Sequence, residues 1–488
     1  MSKDSLINGT FSKLADISES FIFYSLDLGL ANAAGDPIKV PLILLWLAAA
    51  SVFFTFYFGF INIRYFKHSV AVAFNRHPEP DADGQISSFQ ALATSLSGTV
   101  GLGNIAGVAV AVTVGGPGAA LWMAIMGMFS MSTKFIEVTL GVKYRHHPDP
   151  EDRKKISGGP MYYLRDALNN RGIPYLGTVL ATLFAVACIG GAIGGGNMFQ
   201  ANQSFAQVLN VTGGEASWFY GKGWVFGLIL AAMVAVVIIG GIKSIAGAAS
   251  KIVPFMAGIY LLAGFIIIAM NLPALPGALG IIVTSAFSLQ AGVGGFIGAL
   301  LAGVQRATFS NEAGLGSSAI VHATAQTNIP AKQGIAGMMG SFVDTIVICM
   351  MTALIIVISG VYETTDGMAG VELTSAAMGS AVSWFPYVLA LCVVLFAYST
   401  MITWYYYGEK CLTFLFGEKR WVALAFKLIF CVFVVIGAAT ELRNVIRFSD
   451  AMFLSLGIPN IIGLYILAPE VKRDLKEYLQ TLKKKHST

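Results

Sequence analysis

Apolar runs of eighteen or more residues recur along the whole 488-residue chain. Each is long enough to cross a hydrocarbon core about 30 Å thick as a helix, and in lipid only helices or a closed barrel satisfy every backbone polar group. A barrel would show short alternating strands, whereas these runs are continuous. Charged residues make up 12% of the chain and hydrophobic ones 56%, where a soluble protein is about a quarter charged. The expectation is an all-α polytopic membrane protein with eleven transmembrane helices, at roughly 40–63, 88–113, 117–143, 176–210, 223–242, 245–271, 290–320, 333–361, 384–408, 421–440 and 445–469. The stretches between them hold the Pro, Gly and charged clusters of loops.

Lysine and arginine set the orientation, because cytoplasmic loops are enriched in them. With the N-terminus outside, 21 of the 31 fall on the cytoplasmic side and six outside. The chain is thus expected in the cell inner (plasma) membrane, N-terminus outside and C-terminus cytoplasmic. The net charge of +5 follows from this bias. The tail KKKHST reads first as a topology signal, with contact to anionic lipid as the alternative, and nothing points to nucleic acid. The first twenty residues are mixed and polar, without a compact signal peptide, and Asn8-Gly9-Thr10 fits a glycosylation acceptor. Cys188, Cys349, Cys392, Cys411 and Cys431 lack metal-ligand spacing and read as packing residues.

The stretch SGTVGLGN, residues 97–104, puts three glycines inside an apolar run, where they weaken a helix. A related pattern returns about 200 residues later: VGLGNIAGVAVA at 100–111 is echoed by AGLGSSAIVHA at 313–323. Five spans separate the two starts, so the second unit enters the membrane from the opposite side. The organisation expected is an N-terminal segment with an extra helix (1–87), a first five-helix repeat (88–271), an inverted second repeat (290–469) and a basic cytoplasmic tail (470–488). Paired, glycine-interrupted spans at matching positions point to the binding site of a secondary transporter.

At 1.5 Å per residue, residues 99–104 and the polar stretch 303–317 both fall near the bilayer middle. Unwound backbone there requires protein or a water-filled cavity around it. Free N–H groups at a half-helix start favour a carboxylate, and free carbonyls at a half-helix end coordinate Na⁺. An amino-acid zwitterion with sodium fits both.

Asn197, Gln200 and Ser204 share one helix face. Gln200 is read as an amide for the substrate carboxylate, with interhelical bonding as the alternative. Ser399 and Thr400, at mid-depth, either complete an oxygen cage for Na⁺ or bond their own helix backbone. Lys134, Glu137, Lys251, Arg306, Glu312, Asp344, Lys427 and Asp450 fall within spans, where charge is functional by default. Lys134 and Glu137 read as structural, and Arg306 with Glu312 as a lock on the second break. Asp344 reads as a buried salt bridge or as an extra cation or proton site.

Other readings fail. TVGLG looks like a potassium filter, but a filter needs four copies around an axis. GLGNIAG is GxGxxxG after no strand, and no GxxxxGK[ST] occurs. Without HExxH, GxSxG or Cys/His zinc spacing, no enzyme is expected. His68, His77, His146, His147 and His486 lie in polar segments and His322 at a span end, all read as solvated.

SSFQALATSLSGTVGLGNIAG (87–107), VGGPGAALWM (114–123), MSTKFIEVTLGVKYR (131–145), GGPMYYL (158–164), GNMFQAN (196–202), RATFSNEAGLGSS (306–318) and FAYSTMITWYYYGEK (396–410) together resemble the alanine or glycine:cation symporter family. The resemblance implies a LeuT-type, APC-superfamily fold with two discontinuous helices. It also implies Na⁺ as coupling ion and a small neutral amino acid, alanine and/or glycine, as substrate. In that pattern Thr99, Val100, Gly101, Asn104, Gln200, Phe309, Ser310 and Ile402 contact the substrate, and Thr99, Val100, Ser399 and Thr400 hold Na⁺. Leu102 departs from the Thr common in that family. A proton-coupled amino-acid transporter of the same fold is the alternative, and an ion channel a distant one.

Overall fold

The computed structural model describes residues 16, 22–31, 37–74, 79, 82–148, 155–288, 293–364, 368 and 370–487. Asn8, Gly9, Thr10, Arg76 and His77 lie outside them. Among the described residues, seven helices are long and apolar enough to cross a membrane, and an eighth span is made by a pair, Ser88–Thr99 and Gly103–Gly115, bent by 52°. Leu42–Tyr57 and Gly223–Ile238, counted among the eleven expected spans, are shorter apolar helices. Sixteen residues rise only about 24 Å, and the first of these helices turns at Gly59 and Phe60 (φ 62° and 55°) into Ile61–Arg64.

The chain is not wholly helical. Ser25–Ala31 and Pro37–Pro41 pair as an antiparallel hairpin ahead of the first helix. Sequence periodicity passed over it because the pair is short and only partly apolar. Two expected connections also carry helices of their own, Leu275–Ala286 and Val371–Ala381.

The second break lies later than expected. The helix Val293–Asn311 runs unbroken through 303–310. The chain opens only at 312–316, where Glu312, Gly314 and Gly316 take positive φ (57°, 87° and 77°), and resumes as Ser317–His322. Gly303 serves packing rather than breakage: a Cβ there would stand 2.5 Å from Trp122 Cβ and 2.7 Å from the Ala119 carbonyl. It lets this helix cross Gly118–Lys143 at close range.

The intramembrane charges pair differently from expectation. Arg306 does not lock the second break. Its guanidinium meets Asp450 on the C-terminal helix, Leu442–Ser487, and lies over the Phe309 ring. Glu312 bridges the break itself, accepting from the Ser317 hydroxyl and from Trp404 Nε1 at 2.9 Å. Glu137 accepts from the Gly316 N–H at 2.9 Å and from Asn460 at 2.7 Å, which satisfies backbone that the break leaves open. His322 is buried rather than solvated, with Nδ1 2.9 Å from Gln333.

Candidate functional site

The first half-helix starts at a capping box, in which the Ser87 hydroxyl accepts from the Gln90 N–H and the Gln90 amide from the Ser87 N–H. It ends at Thr99, with Val100 in a non-helical conformation (φ −75°, ψ 85°). Helix resumes at Gly103 with a π-type turn to Gly107, a feature that recurs at functional sites. Similar turns sit at Gly194–Met198, before Gln200, and at Phe342–Cys349, around Asp344.

Two amide side chains hold the N–H groups that the break exposes. Asn104 Oδ1 accepts from Gly101 N at 2.9 Å, and Gln200 Oε1 accepts from Leu102 N at 3.0 Å. The other end of Gln200 donates to the Gly195 carbonyl at 2.9 Å. In this conformation Gln200 therefore stabilises the break, and a ligand carboxylate aimed at these N–H groups would replace two amide oxygens.

The first break meets the helix Val293–Asn311. A Cβ on Gly103 would lie 3.4 Å from both the Phe309 ring and Ser310 Cα. Asp344, read from the sequence as a buried salt bridge or as an extra cation or proton site, instead joins the first break to that helix through neutral donors. Its carboxylate accepts from Asn104 Nδ2 (2.6 Å), Ser310 Oγ (2.8 Å) and Thr345 Oγ1 (2.9 Å), while Asn104 Nδ2 also reaches the Asp344 carbonyl at 3.0 Å. Thr352 and Thr374 donate to the carbonyls of Asn104 (2.7 Å) and Ile105 (3.2 Å), which the π-type turn frees. Phe309 is walled by Phe199, edge-on at 5.3 Å, and by Phe453 at 4.8 Å, which in turn stacks on Trp404 at 4.5 Å. Sequence reasoning did not single out Phe199, Phe453 or Trp404, since an aromatic in an apolar run carries no mark of its neighbours.

The two hydroxyls on the helix Phe385–Phe416 differ. Ser399 Oγ donates to its own helix at the Phe396 carbonyl (3.1 Å), while the Ser399 carbonyl accepts from Ser97 Oγ at 2.7 Å. Thr400 Oγ1 is buried with no hydrogen-bond partner among the described residues. It points at the break: a Cβ on Gly101 would lie 2.5 Å from it, so only glycine allows this approach. Thr99 Oγ1 turns back toward the Ser95 carbonyl (3.3 Å), Val100 N donates to the Leu96 carbonyl (2.6 Å), and Ile402 is buried on the same helix as Thr400. Thr99, Val100, Gly101, Asn104, Gln200 and Thr400 thus gather at the first break. Phe309 and Ser310 reach it from the helix Val293–Asn311, and the Ser399 side chain turns away.

The segment ahead of the first half-helix is clasped to the one that follows Ser317–His322. Gln85 N donates to the Thr324 carbonyl and Gln326 N to the Ile86 carbonyl, both at 2.8 Å, and Arg145 donates to the carbonyls of Asp83 and Ala325. Glu79 joins Lys332 (2.5 Å), the Asn328 N–H and the Thr327 hydroxyl (both 2.9 Å). Burial pushes the Glu79 carboxyl up, but these donors hold it below its ordinary value of 4.5. A 680 Å³ cavity lined by Asn210, Glu372, Ser375 and Tyr387 lies elsewhere, near the C-terminal end of the helix Pro174–Val211.

The sodium:alanine symporter family model matches residues 29–488. The chain is 40% identical over 456 residues to the sodium/alanine symporter AgcS of Methanococcus maripaludis, covering 92% of this chain and 97% of that one. It is 35% identical over 459 residues to the probable sodium/glutamine symporter GlnT of Bacillus subtilis, covering 93% and 91%. Its fold is similar to that of MhsT, solved in complex with L-phenylalanine, with a TM-score of 0.51 at 13% identity over 80% of this chain and 99% of that one. The chain therefore belongs to the sodium:alanine symporter family, multi-pass membrane transporters rather than enzymes, and has a LeuT-like fold.

Proposed function

We propose that this protein imports a small neutral amino acid, alanine and/or glycine, together with Na⁺ by alternating access. The architecture is an extra N-terminal helix followed by two inverted five-helix repeats, eleven spans in all, with the N-terminus outside and the C-terminus in the cytoplasm. Na⁺ binds between the backbone of Thr99 and Val100 and the hydroxyl of Thr400, with Ser399 turning in when the ion arrives. The observation that carries this reading is the Thr400 hydroxyl, buried without a partner among the described residues and aimed at unwound backbone. Leaving such a group unsatisfied costs about 1–3 kcal/mol, a cost that a hard cation offsets by taking the oxygen as ligand.

The substrate carboxylate takes the N–H groups of Gly101 and Leu102, which Asn104 and Gln200 release. Phe309, Ser310 and Ile402 close the pocket around a short side chain. Because Asn104 and Ser310 both bond Asp344, binding at the first break is transmitted to the helix that leads into the second. The clasp between 83–86 and 324–326 closes one face and must open for release.

Uptake into proteoliposomes tests the reading. An inward Na⁺ gradient should drive accumulation of labelled alanine, with glycine and glutamine as competitors, and Asn104→Ala and Thr400→Ala should both impair it. Accumulation driven by a proton gradient alone would replace sodium with proton coupling, and ion current without solute uptake would indicate a channel.

A further inference from the structure

We propose that the turn after the first helix and the outer face of the C-terminal helix form a binding site for the phosphate headgroup of an anionic lipid. A 390 Å³ cavity there is lined by Arg64, Lys472, Lys476 and Lys483, with Phe58 and Tyr65 in its wall. This volume lies in the range of small-molecule sites, about 300–1,000 Å³. No carboxylate lines it, and none of the four cations is ion-paired among the described residues.

The helix segregates its charges. At about 100° per residue, Lys472, Lys476 and Lys483 fall within about 40° of one another. On the same count Glu470, Asp474 and Glu477 fall about 140–160° from Lys472. Two of these acids are already engaged inward: Lys143 lies 2.7 Å from Asp474 and 2.9 Å from Glu470, and Arg171 lies 3.3 Å from Glu470. The lysines thus converge on a cavity whose lining holds no acidic side chain among the described residues. The Lys472 ammonium sits 4.2 Å above the Tyr57 ring, and the left-handed turn at Gly59 and Phe60 folds Arg64 back to 3.4 Å from the Gly59 carbonyl.

A lipid is favoured over free phosphate by what adjoins the cavity. Phe53, Phe56, Phe60 and Ile63 are exposed (40%, 61%, 37% and 59%) on the same segment, an apolar surface along which an acyl chain lies while its headgroup occupies the basic cavity. Basic pockets between helices at the cytoplasmic interface bind headgroups in this way. This is also the face to which the lysine and arginine bias assigns the cytoplasm, where anionic lipid is enriched.

Native mass spectrometry of the full-length protein in detergent tests the proposal, with dioctanoyl phosphatidylglycerol, dioctanoyl phosphatidylcholine and inorganic phosphate as probes. Wild type should bind the anionic lipid more tightly than the zwitterionic one. Each lysine removed should weaken that binding about fivefold, so Lys472→Gln/Lys476→Gln should weaken it about 25-fold, leaving phosphatidylcholine binding and the melting temperature unchanged. Lys243→Gln, a cation remote from the cavity, should change nothing. If the double variant does not fold, the single Lys483→Gln is read against the fivefold expectation. Phosphatidylglycerol affinity unchanged in the variants overturns the proposal, and so does its displacement by equimolar inorganic phosphate, which would make this a free-phosphate site.

Discussion

Replacing Thr400 by valine keeps the volume and the methyl group and removes only the oxygen. That oxygen is buried without a hydrogen-bond partner among the described residues. An unsatisfied polar group of this kind costs about 1–3 kcal/mol, so Thr400→Val should leave the ion-free protein as stable as wild type, or up to about 3 kcal/mol more stable. Toward Na⁺ the effect is opposite. An oxygen facing a charge contributes about 1.5–3 kcal/mol, as a hydrogen bond to a charged group does. Its loss raises the Na⁺ concentration for half-maximal uptake by about tenfold to somewhat over a hundredfold. The assay pairs melting in Na⁺-free detergent with alanine uptake into proteoliposomes across a Na⁺ series, potassium replacing sodium at constant ionic strength. Melting should hold or rise, stabilisation by added Na⁺ should shrink, and the uptake curve should shift right. A variant that melts lower in the absence of sodium yet keeps the wild-type Na⁺ dependence would refute the reasoning, because the hydroxyl would then be structural.

Two further predictions concern the charges around the site. Arg306→Met leaves the buried Asp450 carboxylate with Gln305 as a neutral donor at 2.9 Å; breaking a buried ion pair costs about 3–5 kcal/mol. Melting should fall accordingly, and Arg306→Met/Asp450→Asn should recover most of the loss. The clasp at Glu79 should weaken in acid. Its carboxyl titrates below 4.5 when folded, so its contribution is complete above the unfolded value and disappears as pH falls through the folded one. Exchange of the Gln85 and Gln326 amides, corrected for intrinsic rate, should therefore quicken below about pH 4.5, and in Glu79→Gln that pH dependence should vanish.

Much of the molecule was legible because lipid imposes local rules. A span is readable from twenty consecutive residues, since the hydrocarbon core has the same thickness for every chain. The first break was readable from Gly98, Gly101 and Gly103, which weaken a helix wherever they fall. Family membership followed from the stretches around Asn104 and Phe309. Glycine itself was ambiguous at the second break: Gly303 serves a close crossing with Trp122, while Gly314 and Gly316 supply the positive φ that opens the chain. Sequence alone does not separate these uses, because a packing glycine is defined by the neighbour that touches it.

What the sequence by itself determined was therefore a helical membrane transporter with a break near residue 100 and candidate polar groups at mid-depth. The tertiary structure alone decided their partners. Asn104 and Asp344 are 240 positions apart, and Arg306 and Asp450 are 144. The Thr400 hydroxyl is defined by meeting Gly101 and Ser399 by turning away. In a low-dielectric interior each buried polar group must find a partner or bear the cost of lacking one. Which partner it finds depends on how the helices cross, a property of the packed bundle that no single stretch of chain contains.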